Sequence, residues 1–180
     1  MVCTSDMTRH IKHILRVVLI CAVLMSGCGY HLARYANPML DDIDTVAVPY
    51  FSNRTFEPEA ETIFTTAFVN EFVEGRRLEV VRPADADVVL RGTIRKLQEE
   101  TIAFNRDDKA LEYRIHAVLD VVLEKRLSGE VLWKRKSLYH SEEFLVSDDI
   151  IFSEAAKRAA LQRLADDLAE RVHDSIMQGF

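Results

Sequence analysis

We predict an α+β fold for this 180-residue chain: a two-layer α/β sandwich in which two helices pack on one mainly antiparallel sheet of four to five strands, in the order β-α-β-β-β-β-α. Three patterns predict it. Phe64, Phe68 and Phe72 recur every four residues, which is typical of the buried stripe of a helix. Residues 113–124 alternate between apolar and polar, which indicates a half-buried strand. From about Ser153 the helical period returns, so each element has one apolar side to bury against the other layer.

The first half of the domain is predicted to contain a short strand, a helix and a second short strand. Residues 45–50 form the first strand, and Pro49 places it at an edge or near a strand end. Residues 51–56 are expected to form a loop. Pro58 suits the first turn of the following helix, and Gly75 is expected to end it. The next strand covers residues 78–81.

The second half is predicted to be an antiparallel meander followed by a helix. A half-buried strand covers residues 88–95, and a polar connection at 104–111 joins it to the long alternating strand. Ser128-Gly129 makes a tight hairpin turn into a strand at 131–135. The last helix buries a face of leucines, and Gly179 ends it.

The segment 1–27 has the composition of a secretory signal peptide. A basic stretch precedes an uninterrupted apolar run, Val17–Met25. At about 1.5 Å per residue, this run is too short to cross a bilayer core of about 30 Å as a helix. The ending Ser26-Gly27-Cys28 resembles the lipobox of bacterial lipoproteins. That resemblance implies cleavage before Cys28 and attachment of acyl chains to its thiol and its new amino group.

We therefore divide the chain into a cleaved signal peptide (1–27), a lipidated N-terminus with a tether (28–44) and a single α/β sandwich domain (45–180). Several acyl chains on one residue are enough for stable anchoring, so the domain is expected to be tethered to a membrane rather than to span it. Two alternatives stay open for Cys28: an ordinary buried cysteine, or a signal cut elsewhere. Met7 is an alternative first residue to Met1.

Composition limits the classes of partner. Removal of the leader changes 23 basic and 29 acidic residues to 20 and 28, a formal net charge of −8. This acidic balance argues against generic binding of nucleic acid. Cys3 and Cys21 leave with the leader, so no disulfide is expected in the oxidising compartment that a secreted lipoprotein enters. The acyl lipid on Cys28 is the only attached group that we expect.

No catalytic or metal site is predicted, and the protein is not expected to be an enzyme. The chain has no G-x-S-x-G, P-loop or G-x-G-x-x-G motif. Its mature histidines are far apart and have no Cys or Glu at a metal-ligand spacing; they are His31, His116, His140 and His173. Acidic pairs could serve a hydrolase. We interpret them instead as turn formers, as a helix N-terminal charge and as solvated surface; they are at 41–42, 107–108, 148–149 and 166–167.

Basic residues are concentrated on the predicted strands and turns. A basic sheet edge could meet an anionic partner such as a phosphorylated glycolipid. The alternative is a solvated strand face with cross-strand ion pairs to nearby acids. Arg106 is the strongest candidate for contact with such a partner, because it lies in a hairpin turn, from which a side chain can reach outward. The full candidate contact set is Arg106, Lys109, Arg114, Arg95 and Lys134.

An ordered set of short segments resembles the family of lipopolysaccharide-assembly lipoproteins. The mature chain begins Cys-Gly, then an aromatic residue, His and Leu, as members of this family do. Further similar segments follow in the same order; they are 46–49, 51–55, 105–107, 112–114 and 131–133, with the terminal helix after them. The resemblance covers essentially all of residues 28–180.

The resemblance implies a role and a location. Such proteins are anchored in the inner, periplasmic leaflet of the outer membrane and plug a β-barrel that inserts lipopolysaccharide into the outer leaflet. They assist assembly of that barrel, and basic residues are implied to contact lipopolysaccharide. Gly29 after the lipidated cysteine is compatible with sorting to the outer membrane. The alternative is a lipoprotein activator of a peptidoglycan synthase, which shares the architecture but must reach through the cell wall.

Overall fold

The computed structural model of the protein describes residues 37–179. It contains six strands and two long helices, with a 3₁₀ helix at Pro38–Leu40. The strands are β1 Thr45–Ala47, β2 Ser52–Asn53, β3 Glu79–Val80, β4 Val88–Phe104, β5 Ala110–Lys125 and β6 Val131–Leu145. The helices are α1 Ala60–Gly75 and α2 Ile150–Gln178. The predicted α+β class with two helices on one sheet is confirmed.

The sheet is mixed rather than purely antiparallel. Its strands lie in the order β3-β1-β4-β5-β6, and β2 also pairs with β4. The short strand β1 is parallel to both β3 and β4, whereas β4, β5 and β6 form the predicted antiparallel meander. The long meander therefore forms most of the sheet, and the short parallel strands extend one side of it.

Strand β2 lies in the segment 51–56, which the sequence predicted to be a loop. β1 and β2 pair in turn along the same edge of β4: Ala47 lies opposite Val89, and Ser52 lies opposite Thr93. The stretch between them contains Pro49, which has no N–H to donate to a ladder. A two-residue bridge carries no periodicity, so the local pattern could not reveal it.

Strands β4 and β6 are longer than predicted. β4 continues from the predicted end at residue 95 to Phe104, and β6 continues from the predicted end at residue 135 to Leu145. Both extensions are polar on more than one face, and both ladders contain register shifts. Irregular burial removes the alternation on which a strand prediction depends.

The core lies between the sheet and the two helices. In α1, the predicted Phe stripe is fully buried. One cluster joins it to apolar side chains of α2 and of the long strands, among them Leu90, Ile94, Leu119, Leu123, Leu164 and Leu168. Helix α2 begins at Ile150, slightly before the predicted start, and ends at Gly179, whose φ of 77° is the left-handed conformation that glycine tolerates at a C-cap.

Residues 37–44, which the sequence assigned to the tether, pack on the domain. Leu40 and Ile43 are buried in the core cluster. The Asn37 side-chain amide donates to the carbonyl of Ile176 at 2.7 Å, which joins the start of the described chain to the C-terminal end of α2. The signal peptide and Cys28 lie outside the described residues. No helix within residues 37–179 is long and apolar enough to cross a membrane.

Candidate functional site

The domain has two ends, and α2 runs between them. Its 29 residues span about 43 Å at 1.5 Å per residue. At its C-terminal end lies Asn37, where the described chain begins; we call this the anchor end because Cys28 precedes it closely in the sequence. At its N-terminal end lies the β4–β5 hairpin. We call this end the distal tip and define it as residues 104–111, Leu145 and 150–152.

The distal tip exposes an unusual amount of apolar surface. Six of its side chains are large, hydrophobic and exposed, from 44% for Leu111 to 82% for Ile151; they are Phe104, Leu111, Leu145, Ile150, Ile151 and Phe152. Backbone pairing brings these segments to the same end of the domain: Leu145 pairs with Glu112, and the Val146 N–H donates to the Leu111 carbonyl at 3.0 Å. Several large exposed apolar groups at one end of a domain are typical of an interaction surface.

Local hydrogen bonds fix the shape of the tip. The Asn105 side chain accepts from the backbone N–H groups of Asp107 and Lys109, and Asp108 adopts a positive φ of 57°. The Asp149 carboxylate accepts from the N–H groups of residues 151 and 152, so it caps α2. The acidic pairs 107–108 and 148–149 therefore lie in a turn and at a helix N-terminus, as the sequence predicted.

The tip carries two of the five candidate basic residues. Arg106 is exposed at the end of the hairpin and makes no ion pair with any residue in the range 37–179. Lys109 lies 3.1 Å from the carboxylate of Asp148. The Arg106 charge is consequently available to a ligand, although Asp107 and Asp108 adjoin it in the chain. The charge of Lys109 is already balanced.

The other three candidates lie on the face of β4, β5 and β6 that is turned away from the helices, which we call the open face. Arg114 binds the Glu143 carboxylate at 2.6 Å and Glu100 at 3.3 Å. Hydrogen bonding to Glu143 raises the pKa of the Arg114 guanidinium above its usual value. Lys134 is exposed on β6, opposite Val122 of β5.

Arg95 belongs to the best-built polar arrangement of the open face. Its guanidinium lies 2.8 Å from Asp120, whose other oxygen accepts from the Ser137 N–H at 2.9 Å. The Ser137 hydrogen bond, helped by Arg95, lowers the pKa of Asp120. The structure thus separates the candidates into two groups: Arg106 and Lys109 at the tip, and Arg95, Arg114 and Lys134 along the open face. Arg95 and Arg114 make the cross-strand pairs that were the alternative to a ligand role.

Sequence reasoning missed the apolar part of the tip. Its side chains come from three separate segments, and only the fold brings them together. One signal was available in the sequence: residues 150–152 are three consecutive large apolar residues directly after an acidic N-cap. A helix N-terminus with such a run exposes at least one of them unless something covers it.

An open groove lies at the anchor end. Its volume is about 690 Å³, and it runs between residues 38–43 and the β5–β6 hairpin. Leu127 at the tip of that hairpin is 86% exposed. None of the histidines in the described range lines the groove. Of its acids, Glu130 forms an ion pair with Lys125 at 2.8 Å, and the Asp87 carboxylate accepts from the Thr45 hydroxyl at 2.7 Å.

Comparison with protein families gives one match. The model of the family described as "LptE: Lipopolysaccharide-assembly" matches residues 43–176, which is nearly the whole described domain. No curated protein sequence matches the chain significantly.

Solved structures share the fold at low sequence identity. A protein from Xanthomonas campestris superposes with a TM-score of 0.54 at 14% identity and covers 75% of this chain and 85% of its own. A candidate lipoprotein from Caulobacter crescentus gives 0.52 at 11%, covering 72% and 89%. A protein from Chlamydia trachomatis gives 0.51 at 12%, covering 77% and 99%. At these identities the similarity is one of fold.

Proposed function

Because this chain belongs to the LptE family of lipopolysaccharide-assembly proteins, we propose that it is the lipid-anchored subunit of an outer-membrane lipopolysaccharide translocon. The observation that carries the proposal is the family match over residues 43–176, which spans both helices and the whole sheet. In this proposal the domain occupies the lumen of the translocon β-barrel, assists assembly of the barrel and aids insertion of lipopolysaccharide. It catalyses no reaction.

The anchor in this proposal is acyl lipid on Cys28, on the periplasmic side of the outer membrane. Nine residue steps separate Cys28 from Asn37, where the described domain begins. A chain reaches at most about 3.6 Å per residue, so the domain starts within about 32 Å of the lipidated residue. A short reach suits a partner in the same membrane, and lipidation raises the local concentration of the domain beside such a partner.

The surface of the domain supports a place inside a polar lumen. Barrel interiors of this class are polar, and several charged side chains of the open face form ion pairs across neighbouring strands. Arg91 pairs with Glu124 at 2.6 Å, and Arg95 and Arg114 have the partners described above. A surface with charges paired in this way can lie against polar walls without leaving isolated charges to be desolvated.

The distal tip is the part that we propose contacts lipopolysaccharide or the apolar parts of the barrel. Apolar side chains can meet acyl chains or lipid-facing segments, and the unpaired Arg106 guanidinium can meet a phosphate. We expect Arg106→Glu to weaken lipopolysaccharide binding by the full-length lipoprotein several-fold without a change in its circular dichroism. The control is Arg114→Gln, at a residue whose charge is already balanced. Equal binding by wild type and Arg106→Glu would contradict the role of Arg106.

The experiment that tests the overall proposal is site-specific photo-crosslinking in cells, followed by purification and identification of the captured protein. One photoreactive residue replaces Ile151 at the distal tip, 82% exposed, and another replaces Leu127 at the anchor end, 86% exposed. These positions are matched in exposure and lie at opposite ends. A subunit enclosed by a barrel should give the same large outer-membrane barrel at both positions.

The alternative function, activation of a peptidoglycan synthase, predicts a different outcome. The captured protein would then be a penicillin-binding protein, and no barrel would co-purify in near-equal amount from mild-detergent extracts. Either result contradicts the translocon proposal. Loss of palmitate labelling in Cys28→Ala is expected under both functions, so it tests the anchor alone.

A further inference from the structure

We propose that His140, Glu142 and Asp167 form a binding site for a divalent transition-metal ion, of which Zn²⁺ is the type, at the contact between β6 and α2. The inference is independent of the proposed function, because it concerns side chains away from the distal tip and away from the five candidate basic residues.

The three ligand atoms already lie at distances suited to one ion. His140 Nε2 is 2.8 Å from Asp167 Oδ2 and 3.6 Å from Glu142 Oε1, and one ligand atom from each residue falls within 4.8 Å of the others. Zn²⁺ binds nitrogen and oxygen at about 2.0–2.2 Å in tetrahedral geometry, which separates ligand atoms by roughly 3.4 Å. The two separations from His140 lie on either side of that value. Small side-chain rotations would therefore bring the ligand atoms to the separations of a tetrahedral site.

Two regular elements hold the ligands in place. His140 and Glu142 are two positions apart on β6, opposite Ala117 and Ile115 of β5, so both project from the helix-side face of the sheet. Asp167 projects from the middle of α2. The His140 side chain is 16% exposed, Glu142 24% and Asp167 46%. The site is therefore accessible from solvent, and a water molecule can complete a four-coordinate ion.

The charges favour a divalent cation. Two carboxylates supply two negative charges, and neutral imidazole supplies a nitrogen lone pair. Arg163 donates through Nε to Glu142 Oε2 at 3.1 Å, which leaves Oε1 directed at His140. Arg163 thus orients a ligand, in the way that outer groups orient metal-binding carboxylates. When the ion binds Nε2, the single imidazole proton resides on Nδ1 rather than between Nε2 and Asp167.

A bound ion would clamp the last strand to the last helix. β6 is the edge of the sheet, and α2 lies against it. An ion that binds the folded state and not the unfolded one raises the unfolding temperature progressively as its free concentration exceeds Kd. The sequence did not predict this site. Glu142 follows His140 by only two residues, a spacing that was not interpreted as metal-binding, and Asp167 lies far away on a different element, so no short motif joins all three ligands.

The test uses chelator-treated, full-length lipoprotein in detergent. Zn²⁺ alone is titrated by calorimetry, Co²⁺ alone is followed by visible absorption, and the unfolding temperature is recorded at each Zn²⁺ concentration. We expect one saturable site and a rise of several degrees at about 100-fold excess over Kd. His140→Ala and Asp167→Asn should each weaken Zn²⁺ binding at least tenfold and reduce the thermal shift at the same Zn²⁺ concentration to about half or less.

The matched control is His116→Ala. His116 is also a strand histidine, but it lies on the open face against the Tyr139 ring, 5.9 Å between ring centres. This variant should bind Zn²⁺ like wild type. The proposal is overturned if wild type shows no saturable site, or if folded His140→Ala and Asp167→Asn bind as wild type does. Asp167→Asn preserves side-chain size, so it keeps the test valid if the alanine variant unfolds.

Discussion

The two faces of the β4–β6 meander are made by the same strands but differ in burial and in their contribution to stability. On the covered face, Leu90, Leu119 and Leu123 are fully buried against the helices. On the open face, Arg91, Arg95 and Arg114 form ion pairs that remain in contact with water. Burial of one leucine is worth about 1.5–3 kcal/mol, whereas an exposed ion pair contributes about 0.2–1 kcal/mol. Stability therefore resides on the covered face, and the open face can vary with the needs of a partner.

Removal of a buried side chain from the helices that pack on the covered face tests this contrast most directly. Phe68→Ala deletes a fully buried ring that packs on Phe51 with 4.8 Å between ring centres. We expect the free energy of unfolding to fall by about 3–5 kcal/mol, because the favourable burial of the ring is lost and a cavity remains in its place. Urea denaturation followed by circular dichroism measures the change.

Val73→Ala is the matched control for Phe68→Ala. Val73 lies slightly more than one turn further along α1, but its side chain is 56% exposed. Its truncation should change the free energy of unfolding by less than about 0.5 kcal/mol. Equal losses at Phe68 and Val73 would mean that the helix layer does not provide the stability assigned to it.

The second prediction adds volume to the covered face. Gly92 lies on β4 directly beneath the ring of Phe51, and a Cβ at this position would overlap that ring. We expect Gly92→Ala to lower the free energy of unfolding by about 1–3 kcal/mol, since overpacking shifts the neighbouring side chain or backbone. The measurement is again urea denaturation.

A second substitution shows whether the ring is the cause. Phe51→Leu alone should be destabilising, but in the Gly92→Ala background part of its cost should disappear because the leucine leaves room for the new methyl group. A coupling energy of about 0.5 kcal/mol or more in the double-mutant cycle is expected. Strict additivity of the two changes would instead assign the loss to the β4 backbone.

The contrast between faces also explains which parts of the fold the sequence could predict. The Phe stripe of α1 and the alternation of β5 are consequences of burial on one side, and both predictions are confirmed. The extensions of β4 and β6 pair without regular burial. The alternating pattern in the sequence therefore ends before these strands do.

The same reasoning applies to the candidate sites. Basic residues could be identified in the sequence, but their partners could not, because Glu143 reaches Arg114 across a strand pair from a distant part of the chain. The His140 cluster and the apolar tip depend equally on long-range pairing. Periodicity within short segments therefore predicted the helices and strands. Only the tertiary fold revealed which side chains share a surface.

The third prediction concerns the best-built polar contact of the open face. Asp120→Asn removes the charge that holds Arg95 and the Ser137 N–H. We expect a loss of about 1 kcal/mol at pH 7, the ordinary value for a hydrogen bond. Because folding lowers the pKa of Asp120, its contribution is complete above the unfolded pKa of about 3.9 and disappears as the pH falls through the folded value.

The pH dependence gives the measurement for Asp120. Urea denaturation of wild type and Asp120→Asn at pH 7 and near pH 3 should show a stability difference that narrows on acidification. A difference that is equally large at both pH values would show that the carboxylate charge does not matter and that the side chain acts by shape alone.

The smallest effect is expected from the ion pairs themselves. Arg114→Gln removes contacts to Glu143 and Glu100 but leaves the β5 backbone and most of the side-chain stem in place. The side chain is 38% exposed and both acids are 49% exposed, so water screens the pair. We therefore expect only a small loss of stability, smaller than that for Asp120→Asn. It should shrink further in urea denaturation at about 1 M NaCl, where the Debye length falls to about 3 Å.

The control for Arg114→Gln is Arg106→Gln, at an exposed arginine without an ion pair among residues 37–179. It should have no measurable effect on stability at either salt concentration, because no folded-state contact is lost. A loss for Arg114→Gln as large as that for Phe68→Ala would mean that the open face contributes to stability as the covered face does. The two faces would then not differ in their contribution to stability, and the open face would not be free to vary with a partner.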